Sequence, residues 1–332
     1  MKLNIDRLRE ITTGATSIAF RDGMYHFSRF NDQEVNVTDN PNVRSCAGIQ
    51  MVFKTDARLL RLHIYTQPIN DIRSYFAFDV VVNGVFAGSI QNLSDSKCTG
   101  DYANQVYPLG DYQQEFALGN GENCIKLVFP HSVITCIKDI ELVDATYVSP
   151  VRRNKTILYF GDSITQGYDS LHPAESYAVR LADSMGANII NKALGGAVFD
   201  PELVKIPCCV QPDYIIVAYG TNDWNSVDLP SLRMNAEGFL QGIEKNYSGI
   251  PVYIVTPIWR SDWKETKKCG EFSVIEKTIT EVFGNHGNIT VVSGFDLVPH
   301  DENLFGDMWV HPSGKGFEYY AENLKNTIFG GK

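Results

Sequence analysis

The residues of this chain best suited to do chemistry are a hydroxyl, an imidazole, a carboxylate and a carboxamide, spread over four glycine-marked stretches. Gly161-Asp162-Ser163 follows the apolar run Thr156–Phe160, with another glycine at Gly167. Asn191-Lys192-Ala193-Leu194-Gly195-Gly196 ends a second such run, and Tyr219-Gly220-Thr221-Asn222-Asp223 ends a third. The last stretch is Gly306-Asp307-Met308-Trp309-Val310-His311-Pro312-Ser313. Acyl transfer needs a nucleophile, a base that works near neutrality and donors aimed at a developing oxyanion. Ser163 offers the hydroxyl, His311 the base, and Asp307 a carboxylate to hold the imidazole tautomer. Gly196 can present a backbone N–H without a side chain in the way. The Asn222 carboxamide and the Ser163 amide supply two further donors. Taken alone, Ser163 could equally cap a helix.

The elements around these stretches decide whether they can meet. Beyond residue 150 the pattern alternates. Strand-like runs at Thr156–Phe160, Ala187–Asn191, Tyr214–Ala218, Val252–Pro257 and Ile289–Val292 are separated by helix-like segments. The helices are expected at Glu175–Met185, Leu229–Asn246, Phe272–Phe283 and Pro312–Ile328. Strand alternating with helix predicts a parallel sheet in a three-layer α/β domain, with ligands at the strand carboxyl ends. All four stretches fall at those ends.

The preceding part reads differently. After a short helix expected around Ile5–Ile11, apolar residues recur with period two from Met24 to Val143. Leu60, Leu62 and Ile64 form one such set, and Phe76, Phe78, Val80 and Val82 another. Asn83-Gly84 between two runs marks a hairpin. This pattern predicts a β-sandwich of the jelly-roll kind, either a substrate-binding module or a packing partner. Asp144–Lys155 reads as a linker. The expected domains are thus 1–150, a β-sandwich accessory domain, and 151–332, the α/β domain that carries the chemistry.

Bulk properties exclude several classes. The formal charge is −10, and neither half of the chain is basic, which argues against a nucleic-acid partner. No apolar stretch is long enough to span a membrane. Met1–Arg7 lacks the apolar core of a secretory signal, so a cytoplasmic location is expected, although a trimmed leader would leave the same sequence. The seven cysteines are irregularly spaced with no Cys-x-x-Cys and read as reduced thiols. There is no His-x-His or His-Glu-x-x-His run, so no metal is expected, and Gly161–Gly167 lacks the lysine of a phosphate loop.

The four stretches, in this order, resemble the conserved blocks of the GDSL/SGNH hydrolase superfamily over residues 156–328. The resemblance implies a flavodoxin-like α/β/α sandwich and a serine esterase without a cofactor. By it Ser163 is the nucleophile, His311 the base, and Ser163, Gly196 and Asn222 the oxyanion hole. Gly195 is the alternative to Gly196, which stands five residues after Asn191, the family's usual interval. The sequence departs from the family in the last block, where Asp307 precedes His311 by four residues rather than three. A bulged loop would let the carboxylate reach the ring; otherwise a backbone carbonyl orients it. Ile164 also replaces the usual leucine. A sandwich ahead of such a domain is similar to carbohydrate esterase family two and related sugar O-acetylesterases.

The expected activity is hydrolysis of a short-chain ester, an O-acetyl group on a carbohydrate. The alternatives are a lysophospholipase or thioesterase with longer acyl chains, or a carbohydrate-binding protein on an inactive scaffold. Trp224, Trp259 and Trp309 are candidates to stack on a sugar or wall an acyl pocket, with burial in the core as the plain alternative.

Overall fold

The computed structural model describes residues 1–70, 72–94 and 102–330. The chain forms two compact units. The first comprises Met1–Asn31, Pro41–Asn154 and Leu171–Ala174; the second comprises Asp32–Asn40, Lys155–Ser170 and Glu175–Lys332. Each unit thus includes a short segment from the other half of the sequence.

The first unit is built from two antiparallel sheets. One runs in the order Thr12–Thr13, Gln50–Thr55, Asn123–Val128, Ala77–Val82, Val85–Gln91. The other runs Ser17–Arg21, Met24–Ser28, Val133–Val143, Leu59–Pro68, Asp111–Ala117. Their inner faces share one apolar core, with Phe53, Phe78 and Leu127 from the first and Leu60, Leu62 and Ile64 from the second. This is a β-sandwich. The Asn83-Gly84 turn has both residues at positive φ, 52° and 81°, as a two-residue hairpin turn of matching twist requires.

Two local expectations are corrected. Asp79, on what the alternation makes the solvent side of its strand, is fully buried. Its carboxylate accepts hydrogen bonds from the Ala174 amide at 2.9 Å and pairs with His172 Nδ1 at 2.8 Å, so the distant segment Leu171–Ala174 covers that face. Part of the supposed linker is a strand: Val148–Pro150 pairs antiparallel with Gln50–Thr55. Proline is compatible with such an edge position, where no ladder hydrogen bond is demanded of it.

The second unit carries a parallel sheet of five strands: β1 (Lys155–Gly161), β2 (Ala187–Asn191), β3 (Tyr214–Ala218), β4 (Val252–Val255) and β5 (Ile289–Val292). Their order is β2-β1-β3-β4-β5, the flavodoxin-like arrangement, whose switch point lies between the first and third strands. Successive side chains of β1 point to opposite faces. Tyr159 meets Tyr177 at 6.1 Å between ring centroids, while Phe160 meets Phe239 at 5.5 Å. On the Tyr159 side the helix Tyr177–Ser184 packs with Gly314–Phe329, and Tyr177 stacks on Tyr320 at 4.1 Å. On the Phe160 side Leu229–Asn246 packs with Ser273–Phe283 and with the short helix Pro201–Val204. The result is a three-layer α/β/α domain.

Candidate active site

β1 ends at Gly161, which pairs with Ala218 of β3. A Cβ on Gly161 would come 2.8 Å from the Ala218 carbonyl oxygen, so glycine is what lets the two strands meet at the switch point. The chain then turns into a short helix, Ser163–Gln166. Its N-cap is Asp162, not Ser163: the Asp162 carboxylate accepts the Ile164 amide at 2.9 Å. That leaves the Ser163 hydroxyl uncommitted to capping. Gly167, at φ 110°, ends the helix.

The Ser163 hydroxyl lies 2.7 Å from His311 Nε2, a hydrogen-bond distance between residues 148 positions apart. Both are nearly closed to solvent, Ser163 at 6% and His311 at 8% exposure. On the other side of the ring, His311 Nδ1 lies 2.6 Å from Asp307 Oδ2. The four-residue interval is accommodated because Met308 adopts a left-handed conformation, φ 57°, which tightens the loop. Asp307 Oδ1 accepts the amides of Trp309, Val310 and His311 at 2.9, 2.8 and 3.1 Å. The loop is closed by the Gly306 amide donating to the His311 carbonyl at 2.8 Å. Burial by itself would raise the Asp307 carboxyl, but the bond and charge of His311 and these amides outweigh it, holding the pKa at about 2.

The donors expected at this rim are arranged around the same turn. Gly195 donates its amide to the Gln166 side chain at 2.7 Å. The Leu194 amide donates to the Gly161 carbonyl at 2.9 Å. The loop after β2 is thus tied to the Ser163 turn through the Gly195 amide, and Gly196 follows at φ 77°. Asn222 Nδ2 donates one hydrogen to the Ala197 carbonyl at 3.0 Å, leaving its second for another acceptor.

Residues 159–319 match the GDSL-like Lipase/Acylhydrolase family. The α/β unit is a GDSL-like acylhydrolase domain. The match, over just under half of the chain, supports an ester-hydrolysing enzyme. Solved structures with the same fold span nearly the whole chain. A salicylyl-acyltransferase, SsfX3, from a tetracycline biosynthetic pathway shares 17% identity at a TM-score of 0.76, covering 95% of this chain and 92% of that one. A family two carbohydrate esterase from Clostridium thermocellum, solved with cellohexaose, shares 15% at 0.66, covering 93% and 98%. An acetyl xylan esterase from the rumen bacterium Butyrivibrio proteoclasticus shares 15% at 0.64, covering 99% and 98%. At these identities the likeness is one of fold. No curated protein sequence matches the chain.

The tryptophans of the acylhydrolase domain separate into distinct environments. Trp224 is fully buried and donates its indole N–H to the Gly270 carbonyl at 2.8 Å. Trp259 is buried against His300 and Phe305. Trp309, 43% exposed, lies in the loop between Asp307 and His311. The Arg260 guanidinium sits 4.9 Å from the Trp309 ring and 5.0 Å from that of Trp224. Arg260 is itself held by Asp262 at 3.0 Å and by the Thr221 hydroxyl at 3.0 Å. This cation–π stack braces the His311 loop.

Three features of the site carry no motif and escaped the sequence reading. The first is Asp169, buried, with Oδ2 at 3.4 Å from His311 Nδ1. The second is the segment Asp32–Asn40. Its Glu34 forms a buried ion pair with Lys192 at 2.7 Å, and its Asn40 donates to the Gly195 carbonyl at 2.9 Å. The third is a cavity of about 350 Å³ beside Gly196, lined by Leu194, Phe199, Tyr219, Asp200, Thr38 and Asn40 among others. No spacing rule joins residues so far apart in the chain.

Asp169, Asp307 and His311 also lie close enough together to share a cation. The 2.6 Å contact between Asp307 and the ring is at hydrogen-bond length, so a proton on Nδ1 already accounts for it. Two further carboxyls, Asp162 and Asp223, are buried in this domain. Burial raises Asp162 to about 6 and Asp223 to about 7.

Proposed function

We propose that the protein is a serine esterase that removes short acyl groups, O-acetyl above all, from a carbohydrate through an acyl-enzyme. The observation that carries this reading is the line Ser163 Oγ, His311, Asp307, with successive contacts of 2.7 and 2.6 Å. In the proposed reaction His311 Nε2 takes the Ser163 proton as the hydroxyl oxygen attacks the ester carbonyl. The amides of Ser163 and Gly196 and the Asn222 carboxamide stabilise the oxyanion. The tetrahedral intermediate collapses, and His311 gives its proton to the departing alcohol. Water, deprotonated by the same imidazole, then releases the carboxylic acid and restores the serine.

Two observations support a sugar as the alcohol. The fold is shared with the two carbohydrate esterases above. The cavity beside Gly196 is of a size that holds small ligands and mixes aromatic walls (Phe199, Tyr219) with polar groups (Thr38, Asn40, Asp200), the surface a sugar ring calls for. Exposed Trp309 adds a stacking face beside His311.

A second reading has its own support: the fold is also that of an acyltransferase, and the acyl-enzyme chemistry is the same if an alcohol replaces water as acceptor. Hydrolysis of p-nitrophenyl acetate and of acetylated xylo-oligosaccharides, and its loss in Ser163→Ala, tests the esterase. Rates that rise with acyl chain length to octanoate would move the substrate to longer acyl esters. Product that appears only when an acceptor alcohol is added would make the enzyme a transferase.

A further inference from the structure

We infer that Asp169 is a second carboxylate acting on His311, a positioning residue that shares with Asp307 the stabilisation of the charged imidazole. The inference rests on the reading of Ser163 as nucleophile and His311 as base, and extends it to a residue outside the expected triad.

The geometry is specific. Asp169 Oδ2 lies 3.4 Å from the same Nδ1 that Asp307 approaches to 2.6 Å. At 3.4 Å the contact is longer than an ordinary N–H···O bond, so Asp169 acts on the ring through charge while Asp307 makes the hydrogen bond. The backbone is shaped to deliver it. The Tyr168 amide donates back to the Ser163 carbonyl at 3.0 Å, and the Ser170 hydroxyl to the Gly167 carbonyl at 2.9 Å. Asp169 itself adopts φ 67°, a left-handed conformation uncommon outside glycine, which aspartate and asparagine enter more readily than most. The turn that follows the nucleophile's helix thereby brings a carboxylate back to the base. The Tyr168 ring is tilted at 52° to the imidazole, with 6.0 Å between centroids.

Two carboxylates face the one ring nitrogen, at 2.6 and 3.4 Å. His311 takes up the Ser163 proton during attack, so two acids facing Nδ1 favour the state formed on the way to the acyl-enzyme. Preorganised charge of this kind lowers the barrier without new contacts to the substrate. With Asp307 gone, Asp169 remains the nearest anion to Nδ1.

The test is a double-mutant cycle on p-nitrophenyl acetate turnover. Asp169→Asn, which suits the left-handed turn, is expected to lower kcat roughly tenfold with KM within about twofold, the pattern of a transition-state effect. In the Asp307→Asn background the same change is expected to cost distinctly more than it does alone, because the two acids cover for each other. Asp169→Gly, which relieves the positive φ, serves if the Asn variant does not fold, and is read the same way. Unchanged kcat in both backgrounds, or a loss confined to KM, overturns the inference. A parent enzyme that hydrolyses the ester and loses it in Ser163→Ala leaves the proposed function standing when the Asp169 variants behave like the parent. A parent inactive on every ester overturns both.

Discussion

Two imidazoles in this molecule are paired with aspartates in nearly the same way. In the acylhydrolase domain His311 Nδ1 meets Asp307 at 2.6 Å; in the sandwich His172 Nδ1 meets Asp79 at 2.8 Å. Both acids are largely or fully buried and both accept backbone amides as well. What differs is the far side of the ring. His311 presents Nε2 to the Ser163 hydroxyl at 2.7 Å, whereas His172 lies edge-on to the Phe86 ring at 5.0 Å. A carboxylate–imidazole pair is therefore a structural device by default. It becomes a base only where the other nitrogen faces a group with a proton to lose.

The comparison can be broken at several points. The largest effect is expected of Ser163→Ala, with turnover of p-nitrophenyl acetate falling by roughly 10³-fold or more. Retention of the parent rate would remove the serine from the chemistry. Asp307→Asn is expected to cost roughly 10²–10³-fold in kcat, since the neutral side chain no longer fixes the tautomer. A loss of only a few-fold would mean that Asp169 or the backbone holds the ring without Asp307. His172→Gln should behave oppositely. It leaves kcat within about twofold but lowers the unfolding free energy by about 1–3 kcal/mol, because Asp79 is left buried and short of a partner. Urea melts and steady-state rates on the same preparation distinguish the two histidines.

The smallest effect concerns pH. Asp162 and Asp223 have folded-state values of about 6 and 7, raised above their unfolded values by burial. The folded protein therefore holds protons that the unfolded chain releases, and their contribution to stability is complete below about pH 4 and lost as pH rises toward about 7. Urea melts across that window should show stability falling, by on the order of 1 kcal/mol or more for each carboxyl. Asp223→Asn should flatten the slope. A slope equal to the parent's would show that Asp223 does not titrate there. Asp307, held low, works in the opposite sense and costs stability only as pH falls from about 4 to about 2.

Much of the architecture was legible because it follows local rules. Three of the five parallel strands, β2, β3 and β5, and the helix Leu229–Asn246 have the limits that periodicity and turn residues suggest. Their apolar runs are short and bounded by glycine, asparagine or proline. Boundaries drifted where a capping turn intervened: the helix expected from Glu175 begins at Tyr177 after a short 3₁₀ turn at Pro173–Glu175. Placing Ser163, Gly196 and Asn222 in loops that leave strand ends needed only the alternation of strand and helix.

The sequence by itself determined the sheet, its direction and the loops that reach its carboxyl rim, because period, glycine and proline act within a few residues. Only the tertiary structure decided what gathers round His311. Met308 in a left-handed conformation lets Asp307 span the longer interval, the turn after Ser163 returns Asp169 to the same nitrogen, and Asp32–Asn40 joins a domain more than a hundred residues downstream. Those outcomes rest on dihedral angles and on burial between segments remote in the chain. Neither leaves a periodic trace for a reader of one sequence.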